Sequence, residues 1–109
     1  MRKFIVIRQE GKYKKIFIDD ILFCKAVGAY TNFHLTNNKT ILTSMLLKDV
    51  ENKLNSYYFA RINRSYLVNL DHCFELLTRN KPEIVLSNNL KLEISQSRLK
   101  HLREQFCVY

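Results

Sequence analysis

Apolar residues recur along the chain in short runs, each soon interrupted by polar or charged positions. The runs are "KFIVIR" (3–8), "KKIFID" (14–19), "DILFCKA" (20–26), "YTNFHL" (30–35), "KTILTS" (39–44), "SYLVNL" (65–70), "CFELLT" (73–78), "EIVLS" (83–87) and "LKLEIS" (90–95). Short runs rich in β-branched and aromatic residues, bounded by polar clusters, predict strands. Only two glycines and one proline are available for turns, so asparagine takes their place. "LTNNKT" and "LSNNLK" each set Asn-Asn between two strand-like runs, and Asn tolerates positive φ better than other non-glycine residues. Tight hairpins are therefore expected around Asn37–Asn38 and Asn88–Asn89, with a looser turn in "RNKPEI" ended by Pro82. Two segments change period. In "SMLLKDVENKL", Leu47, Val50 and Leu54 share one helical face, and in "SQSRLKHLREQF" Leu99, Leu102 and Phe106 repeat that spacing. Helices are expected at 46–54 and 97–106, the second capped by Ser95 or Ser97. The fold class is all-β, with two short helices.

Length and charge narrow the class further. A chain of 109 residues that is 47% apolar can bury one modest core and is not disordered. Lys and Arg number 18 against 10 Asp and Glu, for a net charge of +8. The excess is spread through both halves of the chain and is not a tail. Such a field favours polyanions, either nucleic acid or an anionic membrane surface, and is equally compatible with a basic domain that has no such partner. Charges interrupt every apolar run well short of the ~20 residues of a spanning helix. "MRKFIVIRQE" has too few apolar residues for a secretory leader and reads as a strand. Three widely spaced cysteines, Cys24, Cys73 and Cys107, do not make a disulfide framework, and the reducing cytoplasm is the expected compartment.

Catalytic chemistry is missing from the sequence. There is no glycine-rich phosphate loop and no nucleophile elbow, the glycines being Gly11 and Gly28. His34, His72 and His101 have no metal-ligand spacing with the cysteines. Adjacent Asp19 and Asp20 would point to opposite faces of a strand, which suits paired acid–base work poorly. No cofactor is expected, and the chain reads as a binding module.

The stretch "FARINRSYLVNLDH" (59–72) carries the binding signal. Phe59, Ile62, Leu67, Val68 and Leu70 read as buried, yet Arg61, Asn63, Arg64 and Ser65 crowd between them. In a straight strand Arg64 would share the face of Ile62 and enter the core, so a bend near Asn63–Ser65 is expected, presenting Asn63 and Arg64 at a loop tip. Arg and Asn read guanine and adenine edges in a major groove, and Ser and further basic residues suit phosphate. Pairing of Arg61 and Arg64 with carboxylates such as Glu75 or Asp71 would satisfy the same residues.

"DILFCKAVGAYTNFHL", "LLKDVENKL", "YYFARINRSYLVNLDH" and "LKLEISQSRLKHLREQF" together resemble the LytTR family of bacterial DNA-binding domains. The resemblance runs from about Ile16 to Phe106, and "F-x-R-I-x-R-S-Y-x-V-N" is its most specific element. It implies one elongated domain over 1–109, with about ten strands and little helix. It further implies sequence-specific binding of double-stranded DNA by a transcriptional regulator, usually as the C-terminal output half of a response regulator behind a receiver domain. Such domains bind in pairs to direct repeats, a second copy lying on adjacent DNA, and place loops in successive major grooves. The base-contacting positions then fall on Tyr30 with Thr31 beside it, on Arg64 with Asn63 beside it, and on Ser97 flanked by Gln96 and Arg98. Arg61, Ser65, Lys25 and Lys100 fall where they would meet the phosphate backbone. The chain departs from the family in having Asn63 where His is frequent, Tyr30 where smaller or imidazole side chains occur, and Gln96 where Arg often follows the serine matched by Ser95. A small β-rich RNA-binding module, stacking bases on tyrosines such as Tyr13 or Tyr30, and a protein-interaction domain remain the alternatives.

Overall fold

The computed structural model describes residues 1–107. Val108 and Tyr109, the last two residues of the expected 1–109 domain, lie outside the described residues. Strands β1 (Phe4–Gln9) and β2 (Lys12–Phe17) form a hairpin, followed by β3 (Ile21–Val27), β4 (Tyr30–Leu35), β5 (Thr40–Thr43) and helix α1 (Leu47–Lys53). After them come β6 (Phe59–Arg61), β7 (Tyr66–Asn69), β8 (Cys73–Leu77), β9 (Glu83–Leu86), β10 (Lys91–Glu93) and helix α2 (Gln96–Phe106). The fold is mostly β, with ten strands and two helices, as the alternation of short runs implied. The short strand β6, at the start of "FARINR", is the one strand not among the runs above.

The strands make three antiparallel sheets, ordered β1-β2, β5-β4-β3-β7-β6 and β10-β9-β8. Period-two alternation lets the central sheet bury both of its faces. On one face Cys24, Phe33, Leu35, Ile41, Phe59 and Leu67 pack against Ile5, Ile7 and Ile16 of the β1–β2 hairpin and against Leu47, Val50 and Leu54 of α1. On the other face Phe23, Ala60, Ile62 and Val68 meet Ile84 and Leu86 of β9, Leu92 of β10 and Leu102 of α2. Each such Leu, Ile or Phe stabilises by roughly 1.5–3 kcal/mol on burial. Two cores rather than charged contacts therefore hold the layers, and the polar loops are free for other use. The molecule measures 45 × 33 × 24 Å, a flattened oblong.

Both Asn-Asn turns form as the sequence implied. Asn38 and Asn89 take φ of +68° and +67°, while Asn37 Oδ1 and Asn88 Oδ1 each accept the backbone N–H two residues on. The loose turn has the same device in Asn80, at φ +61°. Asn69 is buried for structural reasons. Its Nδ2 donates to the carbonyls of Ile18 and Ile21, and its Oδ1 accepts from the Asp71 N–H, joining two 3₁₀ turns that feed β3 and β8. His72 Nε2 adds a 2.7 Å contact to the Asp19 carbonyl. Cys24 and Cys73 are buried free thiols, and burial pushes both up, Cys73 to about 12. Neither has the depressed pKa of a reactive cysteine.

Candidate nucleic-acid interface

The β3–β4 turn, the β6–β7 loop and the start of α2 lie side by side at one edge of the central sheet. The Ala26 N–H donates to the Ser65 carbonyl at 2.8 Å, tying the end of β3 to the second loop. The Ser95 N–H donates to the Ile62 carbonyl at 2.9 Å, tying that loop to the start of α2. Three segments far apart in sequence thus become one surface, and each has its own reason to turn there.

In the first, Gly28 adopts φ +59°, which a side-chain-bearing residue accepts only with strain. The tight turn leaves Tyr30 about half exposed, with Lys25 exposed on β3 beside it. Thr31 is different. Expected at the surface beside Tyr30, it is fully buried, and its Oγ1 donates to the Met45 carbonyl at 2.8 Å. Alternation explains this, because Thr31 shares the inward face of β4 with Phe33 and Leu35.

The second loop bends as expected. β6 ends at Arg61, Ile62 is fully buried, and Arg64 stands exposed at the tip. Asn63, expected at that tip, instead turns inward and builds the loop. Its Oδ1 accepts the N–H groups of Ser65 and Tyr66, and its Nδ2 donates to the Glu93 carbonyl at 2.7 Å. Arg61, expected on the phosphate backbone, is also turned to the loop. Its Nε donates to the Asn63 carbonyl, one terminal nitrogen to the Arg64 carbonyl, and the other to Glu51 Oε1 at 3.0 Å. The ion pair is with Glu51 of α1, and not with Glu75 or Asp71. No sequence signal singles out Glu51, because nothing local couples the first helix to this loop. Ser65 is half-buried, its backbone engaged on both sides.

In the third segment α2 begins at Gln96 behind Ser95 as N-cap, one residue earlier than the apolar spacing implied. Ser95 makes no side-chain cap bond, and its hydroxyl lies 3.5 Å from that of Ser97. Gln96, Ser97, Arg98 and Lys100 are all exposed, and the first turn contains no acidic residue. Its free N–H groups and the helix dipole favour an anion.

The charge at this edge is unspent. Among the described residues the ion pairs are Arg2–Asp20, Arg61–Glu51 and Lys81–Glu93, so Lys25, Arg64, Arg98 and Lys100 belong to none. A groove lined by Asn63, Arg64, Ser65, Glu93 and Ser95 separates the second and third segments. The tyrosines that base stacking would need are dispersed. Tyr57 packs on the first core and Tyr66 on the second, and the Tyr58 hydroxyl donates to the Gln105 carbonyl. Among the described residues no His, Cys, Asp and Glu cluster has the makings of a metal site. No helix among them is long and apolar enough to cross a membrane.

Comparison with known proteins shows what the whole chain is similar to. Residues 11–106 match the model of the LytTr DNA-binding domain. The chain is 36% identical over 74 residues to the sensory transduction protein LytT of Oceanobacillus iheyensis, a match covering 68% of this chain and 30% of that protein. It is 33% identical over 75 residues to the transcriptional regulatory protein LytR of Staphylococcus aureus, covering 67% and 30%. It is 28% identical over 108 residues to the heme-containing CO-sensing transcriptional regulator RcoM 2 of Paraburkholderia xenovorans, covering 94% and 40%. The matches thus span well under half the length of these relatives. Among solved structures, the LytTr DNA-binding domain of a methyl-accepting/DNA response regulator from Bacillus cereus superposes with a TM-score of 0.78. That likeness, at 17% identity, covers 99% of this chain and 100% of the other, and it is one of fold.

Proposed function

This chain belongs to the LytTr DNA-binding domain family, a DNA-binding and not a catalytic one, and we propose that it acts as a sequence-specific reader of double-stranded DNA. In this reading it is a single domain over residues 1–109, a cytoplasmic transcriptional regulator that reads direct repeats through loops in successive major grooves. A second copy occupies the neighbouring repeat, and a receiver domain accompanies it if the chain is the output part of a response regulator. The observation that carries the reading is the row of Tyr30, Arg64 and Gln96–Arg98 on one edge, where Lys25, Arg64, Arg98 and Lys100 belong to no ion pair among the described residues.

Within this reading Arg64 takes a guanine edge, Tyr30 a base in the adjoining step, and Gln96 an adenine through its amide. Lys25, Lys100 and Arg98 meet phosphates, Ser97 stands beside Gln96 at the third base-contacting position, Ser65 lies against the backbone, and Arg61, Asn63 and Thr31 hold the loops in place. Arg98 is assigned to phosphate because one helical position turns a side chain by about 100°, which places it beside the groove and not ahead of it.

Two expected outcomes test these assignments. Lys25→Ala and Lys100→Ala should each weaken all duplexes alike and lower the slope of log affinity against log salt by about one unit, as titration at several salt concentrations will show. Gln96→Ala should relax preference at one base pair, while Arg98→Ala should weaken binding evenly across sequences. A change of selected motif in Arg98→Ala alone would show that the register at α2 is different. The overall reading is tested by selection from random duplexes, with single-stranded RNA and heparin as competitors. A recovered motif that neither competitor displaces at equal concentration of anionic groups supports it, and preference for the single strand supports the RNA-binding alternative.

A further inference from the structure

The edge that carries the three segments does not end at Tyr30. Across the central sheet the order is β5-β4-β3-β7-β6, so the first segment lies between β3 and β4 and the second between β7 and β6. Continuing past β4, the next strand is β5, and against β5 stands the end of β1. Thr43 Oγ1 donates to the Arg8 carbonyl at 2.7 Å, and Gln9 Nε2 donates to the Leu42 carbonyl at 3.2 Å. These two bonds brace the β1–β2 turn, closed by Gly11 at φ +70°, at the end of the row farthest from α2. A groove of about 700 Å³ runs between this turn and the first segment, lined by Gln9, Glu10, Lys12, Tyr30, Leu42 and Ser44. Lys12 and Ser44 are exposed, and Lys12 belongs to no ion pair among the described residues.

From this placement we infer that the β1–β2 turn is a fourth DNA-contacting element, taking the phosphate backbone of the duplex that flanks the base read by Tyr30. Lys12 supplies the charge from one wall of the groove and the Ser44 hydroxyl a hydrogen bond from the other, the side-chain types that fix register without reading sequence. Tyr30 forms part of the same groove, so a base contact there brings the flanking phosphates over the turn. Glu10 lies on the same wall as Lys12 and opposes the contact, which tunes its strength downward. The inference rests on the DNA-binding reading above and extends the footprint by one element at one flank only.

The test is a cycle between protein variant and duplex length, using the duplex selected by the wild-type chain, with and without its flanking base pairs. Trimming the flank on the Tyr30 side should weaken the wild-type protein, and trimming the opposite flank should not. Lys12→Ala should bind the full duplex several-fold more weakly, with a salt slope smaller by about one unit, and should become indifferent to trimming. Ser44→Ala should show a smaller loss of the same kind. Glu10→Gln should bind the full duplex more tightly and the trimmed duplex unchanged, a gain that a merely structural role for the turn would not produce. All three side chains are exposed, and circular dichroism will show the fold retained. Equal losses for Lys12→Ala on full and trimmed duplexes, or no loss on either, would overturn the fourth contact while Arg64-dependent specificity stood. Failure of the wild-type chain to prefer any duplex would overturn both readings together.

Discussion

Arg64→Ala should lose roughly 1–3 kcal/mol on the selected duplex, about five- to 150-fold in affinity, and little on random DNA. The physical basis is the separation of two arginines three residues apart. Arg61 spends its guanidinium on Glu51 and on the carbonyls of Asn63 and Arg64, so the loop tip is held from below. Arg64 is exposed, has no ion pair among the described residues, and is presented by a loop whose carbonyl is already pinned. In the proposed reading, truncating a guanidinium fork set on a guanine edge by a braced loop removes its discrimination, because the paired acceptors on O6 and N7 return to water. Folding should be untouched, so the melting temperature is expected to stay at the wild-type value. Equal losses on cognate and random duplexes would make Arg64 one more phosphate anchor.

Arg61→Ala should behave in the opposite way, with the fold losing stability first and binding following. Its side chain is 15% exposed, and removal strands two loop carbonyls and one carboxylate. Hydrogen bonds to charged groups are worth roughly 1.5–3 kcal/mol. Glu51 is 40% exposed, and water screening of that half of the pair keeps the total toward the lower end of the range. Arg61→Lys should rescue little, since a single ammonium cannot reproduce the planar fork that spans three acceptors. Chemical denaturation will measure the stability loss, and binding to the selected duplex should fall for both variants through disorder of the loop that carries Arg64. A variant of Arg61 that kept full stability but showed a reduced salt slope would return this residue to the phosphate backbone.

Much of this architecture was legible in consecutive residues. Runs of alternating β-branched and aromatic residues, the Asn-Asn turns with their side-chain bonds two residues on, and the i, i+3, i+7 spacing of Leu47, Val50 and Leu54 are local properties, fixed by backbone sterics and periodicity. So was the bend at Asn63–Ser65, because a straight strand would have driven Arg64 into the core beside Ile62. What the run could not disclose was the inward turn of Asn63 and the occupation of Arg61. Those depend on Glu93, thirty positions away, and on Glu51, ten positions away in a different element. Thr31 reads as a polar surface residue until the covering layer places it against the Met45 carbonyl. The β1–β2 turn shows no sign of lying beside Tyr30 until Gln9 meets Leu42 across thirty-three positions. Propensity and period belong to neighbours along the chain and determine which segments are strands, turns and helices. The partner of a polar side chain is set by which segments the two cores press together. Nine of the ten strands, both helices and a basic, loop-borne surface were therefore legible in the sequence alone, whereas the short strand β6 and the division of the polar residues into those that hold the loops and those that face outward were decided by packing.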